Sequence, residues 1–531
     1  MTVSSTPSTL LPDSDAAAGT LLTVPGSVIR EFDPVDVVSD AVAAVNPDVI
    51  IPVDPDSGVV IPALTGSIDV PVYQPGRGML PQTVEAANEN VTVVVSPSVD
   101  SLPDDPTSLI ETEHGYVVTD ALSLRIDPHD RQTRLDGLEA YIDTIDSAWI
   151  ADHSSEKEEA SVGLSYLSTG LRASYNRVVS TSDDHHMSIA GIGTSRARLG
   201  VGLDDSTQPL TVVSVFPNGA ITTETISPDR FGLRGITGVS ETRANHLRTE
   251  GFETRSAVAT ASPHKLTTVP SIGNSTAEQI HASATAVTDE MVVSTGDRSL
   301  PTGDPVFIDI ETDGLAASTA WLIGVLDGSA SSGNYLAFRQ PGLNTPSAHL
   351  EAFMTWLTGS ARGRPVVAWN GYGFDFDVIH EQLQKHCPSY LDDWENRYTF
   401  DPLYWGRTQG NAEFPGRTNK LEHVATALGW EPKTQGINGR RVAELYVDWR
   451  ERMTTADNPE TVSPPPWDRL EAYCEDDVRG LARIYEALSD ADQARTNDAS
   501  LQSGSDRNRD RDRRSRSSAS TSQGSLSDFS S

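Results

Sequence analysis

The sequence predicts an α/β protein, and its most informative part lies between residues 300 and 490. Residues 306–311 and 321–325 are short apolar runs with the composition and alternation typical of β-strands. Residues 349–357 and 478–488 instead repeat apolar side chains at helical spacing. Because strand-like and helix-like segments alternate along this part of the chain, we expect a sheet packed against helices.

The elements of this part follow in order. Strands are predicted at residues 306–311, 321–325, 335–338 and 365–369, with a helix at 349–357 before the last of them. A second helix follows through Val378, Ile379 and Leu383, and a third carries Val478 and Leu481. Each predicted strand is short enough to cross one sheet once.

The chain of 531 residues is too long for one ordinary core, so several domains are expected. Residues 1–115 are acidic and show no sustained helical period, which predicts disorder; short strands whose pairing the sequence does not indicate are the alternative. Residues 116–226 predict an α/β-like domain of unknown role, and residues 227–290 predict a small all-α domain. The Ser-, Arg- and Asp-rich residues 491–531 predict a disordered tail.

The charge balance is strongly acidic. The chain has 75 Asp and Glu residues against 40 Lys and Arg, a net charge of −35, and only five of the 40 are lysines. This pattern is typical of a halophilic protein from a salt-rich cytoplasm, and a haloarchaeal origin is predicted; an acidic, partly disordered protein at ordinary salt is the alternative. The balance argues against nucleic-acid binding through a basic face. The acidic amino-terminal region offers a surface for protein partners.

Cysteine content and hydropathy predict a cytoplasmic location. Cys387 and Cys474 are the only cysteines, too few for a disulfide framework. The first residues lack the basic segment of a secretory signal peptide. No stretch approaches the length of a membrane span, so no membrane contact is expected.

Carboxylates lie within one predicted strand and shortly after another. Asp309 and Glu311 lie two residues apart in a strand, so their side chains share one face. Asp375 lies in the first turn of a predicted helix, and Asp377 points about 200° around that helix, so only one of the two can face the same site. Converging carboxylates bind hard divalent cations, and paired cations promote phosphodiester cleavage.

A third acidic segment lies on the last predicted helix. Tyr473 and Asp477 are four residues apart and therefore share a helix face. Asp476 and Glu475 fall on other faces, and both are predicted to be solvated. The phenol of Tyr473 is thus expected beside the Asp477 carboxylate.

The predicted all-α region contains two similar halves. Residues 236–244 resemble residues 269–277, at an offset of 33 residues. The pair resembles a tandem helix-hairpin-helix domain, whose glycines and helix-opening N–H groups approach phosphate. Gly238 of the first half and Gly273 of the second match the glycines of that pattern, whereas Ser240 and Ser271 replace its other two glycines. The resemblance implies nucleic-acid contact through Gly238 and Gly273; a structural spacer or a protein-docking module is the alternative.

The acidic motifs together resemble the DEDD superfamily of 3′–5′ exonucleases. The members of the set are Asp309, Glu311, Asn370, Asp375, Tyr473 and Asp477. Tyr473 places the resemblance in the tyrosine-containing branch (DEDDy), because Ala472 stands where the other branch has histidine. Flanking residues 321–325, 420–429 and 439–449 are similar to the YprB-type ribonuclease H-like domain.

This resemblance implies a ribonuclease H-like fold, with a mixed central sheet and helices on both faces. It also implies that Asp309, Glu311, Asp375 and Asp477 bind two Mg²⁺ or Mn²⁺ ions, that Tyr473 orients the attacking water, and that Asn370 contacts the nucleic acid. The implied function is a metal-dependent 3′–5′ exonuclease that releases nucleoside 5′-monophosphates from a single-stranded 3′ end of DNA or RNA. A structure-specific endonuclease and a non-catalytic nucleic-acid-binding scaffold are the alternatives.

Overall fold

The computed structural model describes most of the chain. The described residues are 17–53, 60–64, 66–73, 81–84, 91–96, 112, 114–120, 122–127, 132–136, 163–173, 175–180, 186–194, 208–434, 436–456 and 458–518.

The amino-terminal part, up to residue 226, is built mainly from strands. The strands are β1 (Gly19–Pro25), β2 (Val49–Val53), β3 (Gln82–Val84), β4 (Val91–Val95), β5 (His114–Thr119), β6 (Ser123–Asp127), β7 (Gln132–Asp136), β8 (Gly163–Arg172), β9 (Asn176–Ser180), β10 (His186–Gly193), β11 (Leu210–Val215) and β12 (Ile221–Ile226). Helices α1 (Gly26–Glu31) and α2 (Pro34–Val45) lie between β1 and β2, and α3 (Val60–Leu64) follows β2.

Strands that are distant in sequence pair in this part. One sheet has the order β12-β11-β1-β2, a second has the order β3-β4-β5-β8-β10-β9, and β6 pairs with β7 alone. Leu21 and Val213 of the first sheet and Tyr116 and Leu167 of the second belong to one buried cluster. The other face of the first sheet packs against α2, where Val38 is buried.

Two of the predictions for this part are therefore wrong. Disorder was expected across residues 1–115, with short strands as the alternative, and β1, β2, β4 and β5 lie there with buried side chains. A boundary was expected at residue 116, but β1 pairs with β11 and β4 pairs with β5. The cause is that these strands are stabilised by partners far along the chain, which a local pattern does not reveal.

Residues 227–290 form the small helical region that the sequence predicts. Its helices are α4 (Glu241–Thr249), α5 (Arg255–Thr260), α6 (Pro263–Leu266) and α7 (Asn274–Thr288). They enclose a common core that includes Leu247, Phe252, Leu266 and Ile280.

The carboxy-terminal part combines strands and helices. The strands are β13 (Val293–Ser294), β14 (Val306–Thr312), β15 (Ala320–Asp327), β16 (Asn334–Arg339), β17 (Val366–Val367), β18 (Thr399–Phe400) and β19 (Ala412–Glu413). The helices are α8 (Ala348–Gly359), α9 (Asp375–His386), α10 (Leu391–Glu395), α11 (Leu421–Ala427), α12 (Gly439–Thr455) and α13 (Trp467–Ser518).

The central sheet of this part has the order β16-β15-β14-β17-β18. Strands β14, β17 and β18 run parallel, while β15 is antiparallel to both β14 and β16. Ile308 of β14 packs toward α8 and α9 on one face, and Phe307 packs toward α11 and α13 on the other. This mixed sheet with helices on both faces confirms the expected α/β, ribonuclease H-like class.

The last helix, α13, continues through Ser518, where the sequence predicted a disordered tail from residue 491. Residues 491–518 contain no proline, so every backbone N–H remains able to donate within a helix. Residues 519–531 lie outside the described residues.

Ion pairs connect the three parts of the molecule. Asp40 on α2 pairs with Arg255 of the helical region at 3.2 Å and with Arg417 of the carboxy-terminal part at 2.8 Å. Asp36, one turn earlier, pairs with Arg248 at 2.8 Å. Acidic groups of the amino-terminal region are thus used within the chain, where the sequence suggested only partners outside it.

Among the described residues, no helix combines the length and the apolar composition needed to cross a membrane.

Candidate nuclease site

Four carboxylates come together beside β14. Asp309 and Glu311 project from the same face of this strand, and Asp375 is the first residue of α9. Asp477 lies on α13, which packs across that face. Each of Asp309 and Glu311 is repelled by both Asp375 and Asp477, so the structure brings the predicted acidic residues into one group.

Burial sets the electrostatics of this group. Glu311 and Asp375 are each only 5% exposed. Burial, followed by repulsion from Asp477 and the other site carboxylates, raises the pKa of Asp309 and of Glu311 well above the usual value. Burial also raises the pKa of Asp375 to about 7, although backbone N–H groups partly offset the effect. Bringing these charges together is unfavourable unless positive charge is placed among them.

Tyr473 lies next to Asp477, as the helical spacing predicted. A hydrogen bond from the Tyr473 phenol lowers the pKa of Asp477, which burial and the nearby Glu422 otherwise raise. Burial, followed by the charges of Asp477 and Glu311, raises the pKa of Tyr473 well above its usual value. The phenol therefore keeps its proton at neutral pH and can donate it in a hydrogen bond.

Cys474 belongs to the same group, although the sequence reasoning did not assign it a role there. Its Sγ lies 3.5 Å from Asp309 Oδ2 and can donate to that carboxylate. Ligand atoms of Asp309, Glu311 and Cys474 all lie within 4.8 Å of one another. Gly324 on β15 provides the space, because a Cβ at this position would lie 2.4 Å from the sulfur. The sequence feature that could have indicated this role is the position of Cys474 between Tyr473 and Asp477.

Asn370 lies in a turn whose backbone is held by Asp401, a residue to which the sequence patterns gave no role. Asn370 has a left-handed backbone with φ of 57°, and the turn leads through Gly371–Gly373 to Asp375. Asp401, which is 2% exposed, accepts backbone N–H groups from Asn370 at 3.2 Å, Tyr372 at 3.3 Å and Tyr404 at 3.1 Å. Asp401 follows β18 directly, and its charge also raises the pKa of Asp375.

The neighbouring acidic residues take different positions. Asp377 is exposed, as the helical geometry of α9 requires. Glu475 is half-buried and pairs with Arg479 at 2.7 Å. Asp476 was predicted to be solvated, and this is wrong: it is 4% exposed and accepts hydrogen bonds from the Thr434 backbone N–H at 2.7 Å and hydroxyl at 2.6 Å. The segment before α12, which sequence patterns do not place, covers that face of α13.

A cavity of about 650 Å³ lies beside Glu311, between the end of β14 and one side of α12 from Gly439 to Glu451. Leu315 and Phe374 contribute apolar surface to it, and Arg440 and Glu444 contribute charge. A Cβ at Gly439, the first residue of α12, would lie 3.7 Å from the Tyr473 hydroxyl. The cavity therefore adjoins the carboxylate group.

The two hairpins of the helical region have matching backbones. Gly238 has φ of 86°, and Ser271, the equivalent residue 33 positions later, has φ of 64°. Ser240 caps α4 by accepting the Arg243 N–H, and Gly273 occupies the same position before α7. A Cβ at Gly273 would meet no atom within 4 Å, so the backbone at this helix end is open to close approach.

Two family models match the chain. Residues 306–489 match a model described as RNase_H superfamily, and residues 232–285 match one described as SAM-like Helix-hairpin-helix tandem. No curated protein matches the chain significantly. The chain therefore contains an RNase H superfamily domain preceded by a tandem helix-hairpin-helix, and both indicate contact with nucleic acid.

Proposed function

We propose that this protein is a metal-dependent 3′–5′ exonuclease of the DEDDy type that releases nucleoside 5′-monophosphates by phosphodiester hydrolysis. One observation carries the proposal: buried Glu311 and Asp375 and half-buried Asp309 and Asp477 form one group of mutually repelling carboxylates. Such an arrangement is costly in an empty core and favourable around divalent cations. The RNase H superfamily match supports hydrolysis of nucleic acid as the reaction class.

The donor set fits hard divalent cations. All four side chains offer oxygen, the ligand atom that Mg²⁺ and Mn²⁺ prefer, and burial together with the charges of neighbouring carboxylates raises the pKa of each of them. We propose that these four residues hold two such ions. When bound, the ions would supply Lewis-acid activation of water and stabilise charge on the leaving oxygen.

The remaining site residues would orient the carboxylates and the attacking water, and would bind the nucleic acid. Tyr473, which keeps its proton, holds Asp477 by a hydrogen bond and presents its hydroxyl toward the attacking water. Cys474 would help to orient Asp309, because its Sγ lies 3.5 Å from Asp309 Oδ2. Asn370 lies in the turn before Asp375, where its side chain can contact the strand being cut.

The hairpin domain would bind a second part of the nucleic acid, outside the carboxylate site. Gly273 at the start of the 15-residue helix α7 offers an open backbone to a phosphate, and Gly238 provides the matching turn in the first hairpin. This mode of binding suits a chain with net charge −35, because it uses backbone dipoles in place of a basic surface.

The test is digestion of matched single-stranded DNA and RNA oligonucleotides, labelled at either end, in Mg²⁺ at high salt. We expect stepwise shortening from the 3′ end, with mononucleotide products. Asp375→Asn should lower the rate at least a hundredfold, whereas Asp377→Asn, two residues later on the exposed face of α9, should match the wild type. Equal digestion by the wild type and Asp375→Asn would overturn the proposal, and the preferred sugar identifies the substrate class.

The hairpin match favours a second candidate, a structure-specific endonuclease, since such modules bind duplex backbones. Branched substrates labelled at one end distinguish the exonuclease from the endonuclease. An endonuclease yields a single product cut at an internal position, whereas an exonuclease shortens the strand stepwise from its 3′ end. A non-catalytic scaffold is a third candidate; calorimetry with Mn²⁺ separates it, since a scaffold would bind none at the carboxylate group.

We also propose that the protein works in a salt-rich cytoplasm. The low lysine content and the excess of acidic residues support this. Rising activity between 0.1 M and 2 M KCl is the expected result, and inactivation over that range would contradict it.

A further inference from the structure

Three tyrosine rings are exposed along one edge of the central sheet of the nuclease domain. Tyr372 is 45% exposed, Tyr398 is 57% exposed and Tyr404 is 41% exposed. The described residues include only three other exposed large apolar side chains: Val35, Met291 and Leu315. All three tyrosines lie next to β18, the edge strand of that sheet, so we call them the tyrosine patch.

Ring contacts and hydrogen bonds hold the tyrosine patch in place. The rings of Tyr372 and Tyr404 meet edge to face, with centroids 5.4 Å apart at 89°. The Tyr372 hydroxyl donates to the Thr399 carbonyl at 2.9 Å, directly beside Tyr398. Buried Asp401 accepts the backbone N–H groups of both Tyr372 and Tyr404, so one carboxylate positions two of the three rings. Fixed, exposed aromatic rings lose little freedom when a partner stacks on them.

The patch is continuous with the carboxylate group. Tyr372 lies in the turn between Asn370 and Asp375, and its ring also contacts that of Phe376, with centroids 5.4 Å apart. Strands β17 and β18 end shortly before Asn370 and Asp401, close to the level of Asp309 in the neighbouring parallel strand β14. A nucleic-acid strand that reaches the carboxylate group along this edge of the sheet would pass over the tyrosine rings.

The charge of the chain decides what such a patch can bind. With a net charge of −35, the surface gains little from phosphate attraction, and salt weakens that attraction further. Two cations of the segment before α11 are already paired within the chain: Arg417 with Asp40, and Lys420 with Glu224. Stacking of bases on aromatic rings needs no net positive charge.

We propose that Tyr372, Tyr398 and Tyr404 form a stacking platform for unpaired bases of the nucleic-acid strand that enters the carboxylate site. The platform rests on the proposed nuclease function and specifies its substrate as single-stranded near the site. Because a ring can stack on any base, the platform is tolerant of sequence. A duplex cannot use it, since its bases are already stacked on one another.

The test is binding of a fluorescent 12-nucleotide single strand, measured by anisotropy in EDTA with 0.5 M and 2 M KCl. Tyr398→Ala and Tyr404→Ala should each weaken binding roughly tenfold. The matched variants Tyr398→Phe and Tyr404→Phe keep a ring and should bind like the wild type. An abasic oligonucleotide of the same length should bind weakly and equally to all five proteins.

Binding by the alanine variants that equals the wild type, or wild-type affinity for the abasic strand that equals its affinity for the normal one, would overturn the platform. Thermal unfolding checks that each variant is folded, and the phenylalanine variants separate ring loss from hydroxyl loss. Failure of the proposed nuclease function is distinguishable. If the wild type binds the normal oligonucleotide through its tyrosine rings but cuts no substrate, the stacking platform is supported and the proposed nuclease function is contradicted.

Discussion

Asp375 illustrates how burial couples the site to pH. Its folded pKa of about 7 lies above the usual 3.8, so the folded protein holds a proton that the unfolded chain has already released between these values. The stability of the metal-free protein must therefore fall as pH rises through this window. A shift of about three units corresponds to at most ~4 kcal/mol at pH 8.

Asp375→Asn removes this titration, so the metal-free variant should lose less unfolding free energy than the wild type between pH 4 and pH 8. Denaturant unfolding in EDTA measures the difference, with Asp377→Asn as the control that should follow the wild type. A pH dependence that Asp375→Asn leaves unchanged would contradict the assignment.

Ser271 has a backbone conformation that favours glycine. Because a left-handed φ of 64° costs a side-chain-bearing residue about 1 kcal/mol, Ser271→Gly should stabilise the helical region by roughly that amount. Ser240→Gly is the control: Ser240 has φ of −77° and caps α4, so its loss should bring no gain. Chemical denaturation measures both, and equal effects of the two changes would contradict the argument.

The site shows which residues a sequence can identify. Side-chain alternation in β14 and the four-residue spacing of Tyr473 and Asp477 predicted their shared faces, because both follow from local backbone geometry. Cys474 and Asp401 were missed. Their roles depend on which elements pack together, and no local period encodes that.

At the scale of elements, Asp401 holds the turn that connects β17 to α9. Asp401→Ala would leave the N–H groups of Asn370, Tyr372 and Tyr404 without their acceptor, which should cost about 2 to 3 kcal/mol of unfolding free energy. Asp401→Asn keeps one accepting oxygen and should cost less. Denaturant unfolding tests the order, with exposed Asp393→Asn as a neutral control; an Asp401→Ala variant as stable as the wild type would contradict it.

The segment of residues 417–423, which includes the first turn of α11, is held by β12 of the amino-terminal part. Glu224 pairs with Lys420 at 2.6 Å and with His423 at 3.0 Å. Although burial raises the pKa of Glu224, hydrogen bonds and charge from these two partners bring it below the usual value. Glu422, on the same segment, is close enough to raise the pKa of Asp477. The contact therefore orders chain next to the site.

Glu224→Gln should loosen this segment. Hydrogen exchange of residues 417–423 should become several-fold faster, while exchange in α8, on the far side of the sheet, stays unchanged. Glu250→Gln, an exposed carboxylate of the helical region, is the matched control. Exchange at residues 417–423 that equals the wild type would show that Glu224 does not order them.

Across the whole molecule, prediction succeeded where neighbours in sequence are neighbours in space. In the central sheet of the RNase H-like domain, β14, β15 and β16 follow one another and pair in order, so their patterns were sufficient. In the amino-terminal part, β1 pairs with β11 nearly 200 residues later, and no local pattern contains that information. We therefore propose that residues 19–226 are one unit, in place of the two that the sequence suggested.

The net charge of −35 makes the stability of the whole chain depend on salt. Repulsion among exposed carboxylates is screened over about 10 Å at 0.1 M salt and about 3 Å at 1 M, so screening favours the compact state. The connecting pairs of Asp40 with Arg255 and Arg417 are partly buried and are screened less. The apparent melting temperature should therefore rise by on the order of 5 °C or more between 0.1 M and 2 M KCl. Choline chloride should produce a similar rise if screening is the cause. A melting temperature that falls with either salt would mean that the ion pairs between the parts outweigh the repulsion.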